Sequence, residues 1–339
     1  MAISDKFVEE TVTNKQDILG ISLPVTRIPE KLSQSGRKSH LENLLASNDF
    51  ELLSLQYVPY SFDRKGLPFW LLRFFENSIR PYQFHINFHE LWIGFGTKSP
   101  LKHKLIGLLQ QQILKILVAR LKPQCITTSN VLYQHLLQQK NIQSELLNLF
   151  SNIPYLDANH SSWGKYQKKY TFLNLGSYDF ILGIFGHIHP EADLKKTIEQ
   201  FLQNSETNYK RVLVVSFGKM GPQGLEYWES LRSELQYDGR INLECLGLLE
   251  PLEVSYILQQ LDAGISCTPA AFIGKSGVYA AFRSHDLRVI MANTAHIPGL
   301  EAASIANLET AESLPAEAYS VTHITAKFLN LITKTSTHD

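Results

Sequence analysis

Four consecutive residues, Gly274, Lys275, Ser276 and Gly277, stand within the run "FIGKSGVYAAF" (Phe272–Phe282). A helix starting near Ser276 would offer unpaired backbone N–H groups and the positive end of its dipole to an anion. Gly274 and Gly277 would let that anion approach the backbone, Ser276 adds a hydroxyl donor, and Lys275 adds a point charge. This is not a P-loop, which requires a glycine five positions before the Gly-Lys pair; Pro269 stands there. The plainer reading is an N-capped helix with a solvated lysine. Gly186 and Gly218 also follow apolar runs, and Lys219 comes directly after the second, which strengthens the phosphate reading.

Histidines form the second group. In "QFHINFHELW" (Gln83–Trp92), strand alternation sends His85, Asn87 and His89 to one face, with His89 and Glu90 where the strand should turn outward. His187 and His189 form another pair. The set His85, His89, His187 and His189 would suit a metal-dependent hydrolase, but no cysteine or cluster of carboxylates accompanies it. A third feature is Lys98–Lys122, which carries Lys98, Lys102, Lys104, Lys115, Arg120 and Lys122 among leucines and isoleucines, with no acidic residue. It reads as a core helix with a basic outer edge, or as a surface that rests on anionic lipid.

The elements that must position these groups alternate between strand and helix. In the first half, Phe50–Val58, Gln83–Trp92 and Gln124–Asn130 read as strands, Leu101–Leu121 as a helix, and Leu147–Tyr155 as a closing strand. In the second half, strands are expected at Tyr178–Gly186, Arg211–Gly218, Ile241–Gly247, Asp262–Thr268 and Leu287–Asn293. Helices are expected between them, as at Glu191–Gln203 and Pro251–Leu261. Such alternation implies parallel sheets covered by helices, and two series imply two doubly wound domains facing across a cleft. Ligands of such sheets bind beyond the carboxyl ends of the strands. Those ends carry Gly186, Gly218, Gly247 and the 268–277 loop.

A chain of 339 residues exceeds one ordinary core. With 44% hydrophobic and 19% charged residues it is a globular composition, and a formal net charge of zero argues against a nucleic-acid partner. Cys125, Cys245 and Cys267 lie far apart and read as buried thiols of a reducing compartment. The N-terminal stretch is polar and lacks a signal peptide's apolar run, and no uncharged apolar run reaches membrane-spanning length. A cytoplasmic location follows, with peripheral contact at the inner membrane face as the further expectation.

The order of these motifs resembles the GT-B glycosyltransferases, in particular the large retaining group called family 4. "LQYVPYSF" with "GLPFWL" (Leu55–Leu71) and "HINFHELW" (His85–Trp92) look like the acceptor domain of the bacterial polysaccharide enzymes. "FGHIHPEADLKKTIEQFL" (Phe185–Leu202) looks like the first donor-domain strand and helix, and "LECLGLLEPLEVSYILQQLDAGISCTP" (Leu243–Pro269) like the run that follows. The resemblance implies an acceptor-side domain over 1–165, a donor domain over 166–318, and a C-terminal helix over 319–339 that returns to the first domain. It implies hexosyl transfer from a UDP-sugar to a saccharide or lipid-linked saccharide in polysaccharide biosynthesis, with no metal or other cofactor. The donor would be held by Gly186, His187, Lys219, Leu248, Lys275, Ser276, Gly277 and Val278, with His89 and Glu90 in catalytic roles. The chain departs from the family where His187 and Ala192 replace a usual arginine and lysine, and where Ile273 and Ala281 fall near its two glutamates. A GT-B UDP-sugar epimerase and a nucleotide-sugar-binding protein without turnover share the same expected architecture.

Overall fold

The computed structural model describes residues 1–18, 21–75, 78–79, 82–173, 176–189, 191–204, 209–293 and 296–335. The strands are β1 (Ala2–Asp5), β2 (Val12–Ile18), β3 (Ile21–Pro29), β4 (Leu52–Tyr57), β5 (Gln83–Phe88), β6 (Cys125–Thr128), β7 (Glu145–Leu146), β8 (Phe180–Phe185), β9 (Val212–Phe217), β10 (Ile241–Cys245), β11 (Ala263–Ser266) and β12 (Arg288–Met291). The helices are α1 (Gln34–Ala46), the short α2 (Pro59–Phe62) and α3 (Leu71–Phe74), α4 (Leu101–Leu121), α5 (Val131–Gln138), α6 (Trp163–Lys169), α7 (Leu194–Asn204), α8 (Pro222–Leu235), α9 (Pro251–Leu258), α10 (Gly277–Ser284), α11 (Glu301–Ser313) and α12 (Val321–Thr335).

The chain divides into two compact units. One comprises 1–128, 136–145 and 331–339, and the other 129–135 and 146–330. The main division therefore falls at 145–146 where 165–166 was expected, and residues 336–339 of the expected C-terminal helix lie outside the described residues.

In the first unit a sheet of order β4-β5-β6-β7 carries parallel pairs β4–β5 and β5–β6. Its strands follow one another in chain order, so no reversal of order falls within it. Helix α4 turns Ile113, Leu114, Leu117 and Leu121 inward. Buried Gln110 ties it down by accepting from Ile93 N (2.9 Å) and donating to the Gly66 carbonyl (3.1 Å). A separate sheet, β1-β3-β2, pairs β1 with β3 in parallel and β2 with β3 antiparallel. This sheet was not expected, because the stretch between Val12 and Ile18 is wholly polar and the outer end of β3 is exposed.

The expected strand at Leu147–Tyr155 does not form; β7 (Glu145–Leu146) ends just before it. Beyond β7 the backbone spends its amides elsewhere: Ser151 N on the Tyr319 carbonyl (2.8 Å), Ile153 N on Ser151 Oγ (3.1 Å), and Leu156 N on Ser255 Oγ (2.9 Å). A segment whose amides at 151, 153 and 156 are committed to other groups does not run on as a ladder.

The second unit holds a fully parallel five-stranded sheet of order β10-β9-β8-β11-β12. Numbered from its own first strand this is the order 3-2-1-4-5 of a doubly wound nucleotide-binding fold, and the reversal of direction lies between β8 and β11. Both faces are covered. Leu213, Val215 and Phe217 pack with Ile257 and Phe282 on one side. Val212 and Val214 pack with Ile198 and Trp228 on the other. Burial on both faces explains why the central strands β8 and β9 read as nearly continuous apolar runs.

Candidate functional site

The carboxyl edge of the second sheet is lined by glycine. Strands β8, β9 and β10 are each followed by a residue at positive φ: Gly186 (77°) and Gly218 (90°) directly, and Gly247 (68°) after Leu246. Left-handed backbone at successive tips calls for glycine. The tips are tied together, Gly186 N donating to the Phe217 carbonyl (2.8 Å) and Gly218 N to that of Gly247 (2.7 Å). A methyl group on Gly218 would stand 3.1 Å from both Gly186 N and the Phe185 ring.

Helix α10 starts against this edge, at the point where strand order reverses. Ser276 caps it, its Oγ accepting from Tyr279 N (3.2 Å) and lying 3.0 Å from Thr268 Oγ1. The cap uses the hydroxyl expected to serve an anion. The N–H groups of Gly277 and Val278 have no acceptor among the described residues, and a Cβ on Gly277 would meet nothing within 4 Å. Val278 Cγ2 lies 3.4 Å from the position of a Cβ on Gly186. The structure thus brings Gly186, Ser276, Gly277 and Val278 together.

Other expected residues surround them. His187 is exposed; its Cε1 is 3.4 Å from a Cβ built on Gly221, and its ring meets that of His189 edge-on at 4.9 Å. Lys219 is exposed beside Gly218. Leu248, 81% exposed after Gly247, is a large apolar side chain left in solvent at the same edge.

Two residues of the opening motif behave otherwise than expected. Gly274 does not hold space for an anion: a Cβ there would collide with the Ser129 carbonyl and approach Asn307 Oδ1 to 3.2 Å. Its smallness lets the 3₁₀ turn Ala270–Lys275 lie against residues 129–130. Asn130 Nδ2 bonds the Ala271 carbonyl (3.0 Å), and Asn307 bonds both the Ala270 carbonyl (2.9 Å) and Val131 N (3.1 Å). Lys275 Nζ donates to Tyr133 Oη (3.2 Å) and sits over the Tyr133 and Phe272 rings at 5.3 and 5.8 Å. Ile273 and Ala281, the positions that align with the family's glutamates, are buried apolar residues.

In the first unit the expected face of His85, Asn87 and His89 forms, completed by residues the sequence reading missed. Five side chains close a ring in which every donor points the same way. Gln56 Nε2 donates to Ser54 Oγ (2.8 Å), Ser54 to His85 Nδ1 (2.8 Å), and His85 Nε2–H to Thr127 Oγ1 (2.8 Å). Thr127 then donates to Asn87 Oδ1 (2.9 Å), and Asn87 Nδ2 to Gln56 Oε1 (3.1 Å). Period-two spacing around Ser54/Gln56 and His85/Asn87, with Thr127 on the next strand, was the available signal. His85 is 1% exposed, and burial pulls its pKa from 6.5 down to about 4. It is therefore the neutral Nε2–H tautomer at physiological pH.

His89 hangs on the rim of this ring. Gln56 Oε1 can only accept, so His89 Nε2–H donates to it at 2.7 Å, with Asn87 Nδ2 3.1 Å from the same nitrogen. The backbone N–H groups of His89 and Glu90 both reach the Tyr57 carbonyl, at 3.1 and 3.4 Å. Glu90 is partly buried. Among the described residues no group of three or more His, Cys, Asp or Glu side chains is gathered to hold a metal ion. Cys125 and Cys267 are buried as expected, but Cys245 is only partly so.

No protein-family model and no curated protein sequence matches the chain. Solved structures do. Anabaena HepE in complex with UDP superposes with a TM-score of 0.50 at 12% identity, over 88% of this chain and 82% of that one. Sucrose-phosphate synthase from Thermosynechococcus elongatus gives 0.52 at 14% identity over 98% and 85%. A glycosyltransferase from Rickettsia africae gives 0.52 at 11% over 92% and 86%. At these identities the likeness is one of fold, and that fold is GT-B, built of two Rossmann-like α/β domains.

Proposed function

We propose that the chain is a glycosyltransferase using a nucleotide-sugar donor, with UDP as its nucleotide. The observation that carries this reading is the edge at β8 and β11, where Gly186 meets the uncapped amides of Gly277 and Val278 at the reversal of strand order. Nucleotides bind at such reversals, and amides at a helix start favour a diphosphate. The HepE structure, which contains UDP, supports the choice of base.

Cleavage of the sugar–phosphate bond builds negative charge on the departing diphosphate. Fixed amides of Gly277 and Val278, with Lys219 on the neighbouring tip, would stabilise that charge more in the transition state than in the ground state. Lys219 serves better than Lys275, whose ammonium is engaged with Tyr133. His89 is read as a contact of the donor sugar, held in one tautomer by Gln56. A hexosyl group, retention of configuration and a saccharide or lipid-linked acceptor in polysaccharide synthesis belong to the same reading.

Isothermal titration without added divalent metal tests it: UDP should bind, and binding of ATP but not UDP would end the donor-site assignment. One observation favours a second reading, a protein that binds nucleotide sugars without turnover. The positions of the family's glutamates are filled by buried Ile273 and Ala281, so no carboxylate stands there. UDP binding together with no transfer to any acceptor in a saccharide panel would decide for it.

A further inference from the structure

Helix α4 is apolar on both sides, with exposed Gln112 the one polar residue inside its outer stripe. Its inner face is the buried row Ile113, Leu114, Leu117 and Leu121. At 3.6 residues per turn, Leu101, Leu105, Leu108, Leu109 and Ile116 fall together on the opposite face. All of these stand in solvent, at 73, 56, 54, 47 and 39% exposure. Ordinary surface helices present polar residues there. The cations flank the stripe: Lys115 on one side, Lys102 and Arg120 on the other, with Lys98 just before the helix. No Asp or Glu occurs between Glu90 and Glu145.

We propose that this outer face of α4 docks on an anionic lipid surface, with the helix lying in the plane of the interface. The helix is 21 residues, about 31 Å, long. Among the described residues none is long and apolar enough to cross a membrane. An apolar stripe flanked by lysines matches the boundary between acyl chains and anionic headgroups: leucines enter the first, lysines reach the second. A second copy of the chain fits less well, because a two-fold contact would set these cations against their own kind with no acid in the segment to pair them. The placement holds whether or not the transferase reading does.

Sedimentation of the full chain with vesicles tests the proposal. The chain should bind vesicles of phosphatidylcholine mixed with phosphatidylglycerol far better than phosphatidylcholine alone, and salt should weaken the binding. Lys102→Gln and Lys115→Gln should each weaken it roughly fivefold. Leu105→Gln with Leu108→Gln should abolish it while the circular dichroism melt stays unchanged, since both side chains are exposed. Leu225→Gln, an exposed leucine of α8, should have no effect. Equal binding to both vesicle types, no binding to either, or α4 variants that bind like the parent would overturn the proposal. So would a dimer in solution that the Leu105/Leu108 variant dissociates.

Discussion

Acidification should unfasten the first unit through one residue, His85. Burial holds the folded-state pKa at about 4 against 6.5 for an ordinary histidine, so the unfolded chain takes up a proton that the folded chain refuses. The stabilisation from His85 is complete above pH 6.5 and is lost as pH falls from there towards 4. A depression of this size corresponds to about 3 kcal/mol in all, of which about 2 kcal/mol is gone by pH 5.

The ring gives the structural reason. Ser54 already accepts from Gln56 and donates to His85 Nδ1, so an imidazolium would aim a second N–H at a hydroxyl committed to giving its own proton. His85→Gln removes the titration, at a cost of roughly 1–3 kcal/mol at neutral pH for the broken ring. Urea unfolding followed by tryptophan fluorescence, with Trp70 and Trp92 reporting on this unit, should be run near pH 7.5 and pH 5. The stability lost between the two should be about 2 kcal/mol smaller in the variant than in the parent. His285, also buried with a lowered pKa, is present in both proteins and cancels. Equal losses, or an NMR titration placing His85 near 6.5, would refute the argument.

Three further outcomes are expected. Gly218→Ala, forced to φ 90° with its methyl against Gly186 N and the Phe185 ring, should lower stability by roughly 1–3 kcal/mol, read as a fall in the melting temperature. Lys219→Ala should weaken UDP roughly tenfold while leaving uridine almost unchanged, and Lys275→Ala should do less; titration calorimetry measures both, and equal loss for UDP and uridine would place Lys219 away from the diphosphate. His89→Ala should keep UDP affinity within a few-fold and lose most sugar transfer, whereas a folded variant with near-normal transfer would return His89 to a structural role.

The parallel strands were legible because their physics is local. "RVLVVSFG" (Arg211–Gly218) is a strand buried on both faces, so its apolar run ends where Gly218 turns the chain, and β9 occupies its centre. Helix α4 begins after Pro100 and ends at Leu121, capped by Lys122, left-handed at φ 45° before Pro123, giving the expected bounds. The glycine tips at 186 and 218 were equally legible, since little else tolerates their backbone. Segments whose structure depends on distant partners were not. Val12–Ile18 becomes a strand only because β3 pairs with it, and 147–155 fails to become one because the Tyr319 carbonyl and the Ser151 hydroxyl take amides within it. The site divides in the same way. That His85, Asn87 and His89 share a face is alternation; that Ser54, Gln56 and Thr127 close a ring around them depends on the register of three strands. Gly274 serves the carbonyl of Ser129, and Lys275 the hydroxyl of Tyr133, partners more than a hundred residues away in the chain. Leu105 and Leu114 look alike in sequence, and only packing decides that one is buried and the other faces solvent.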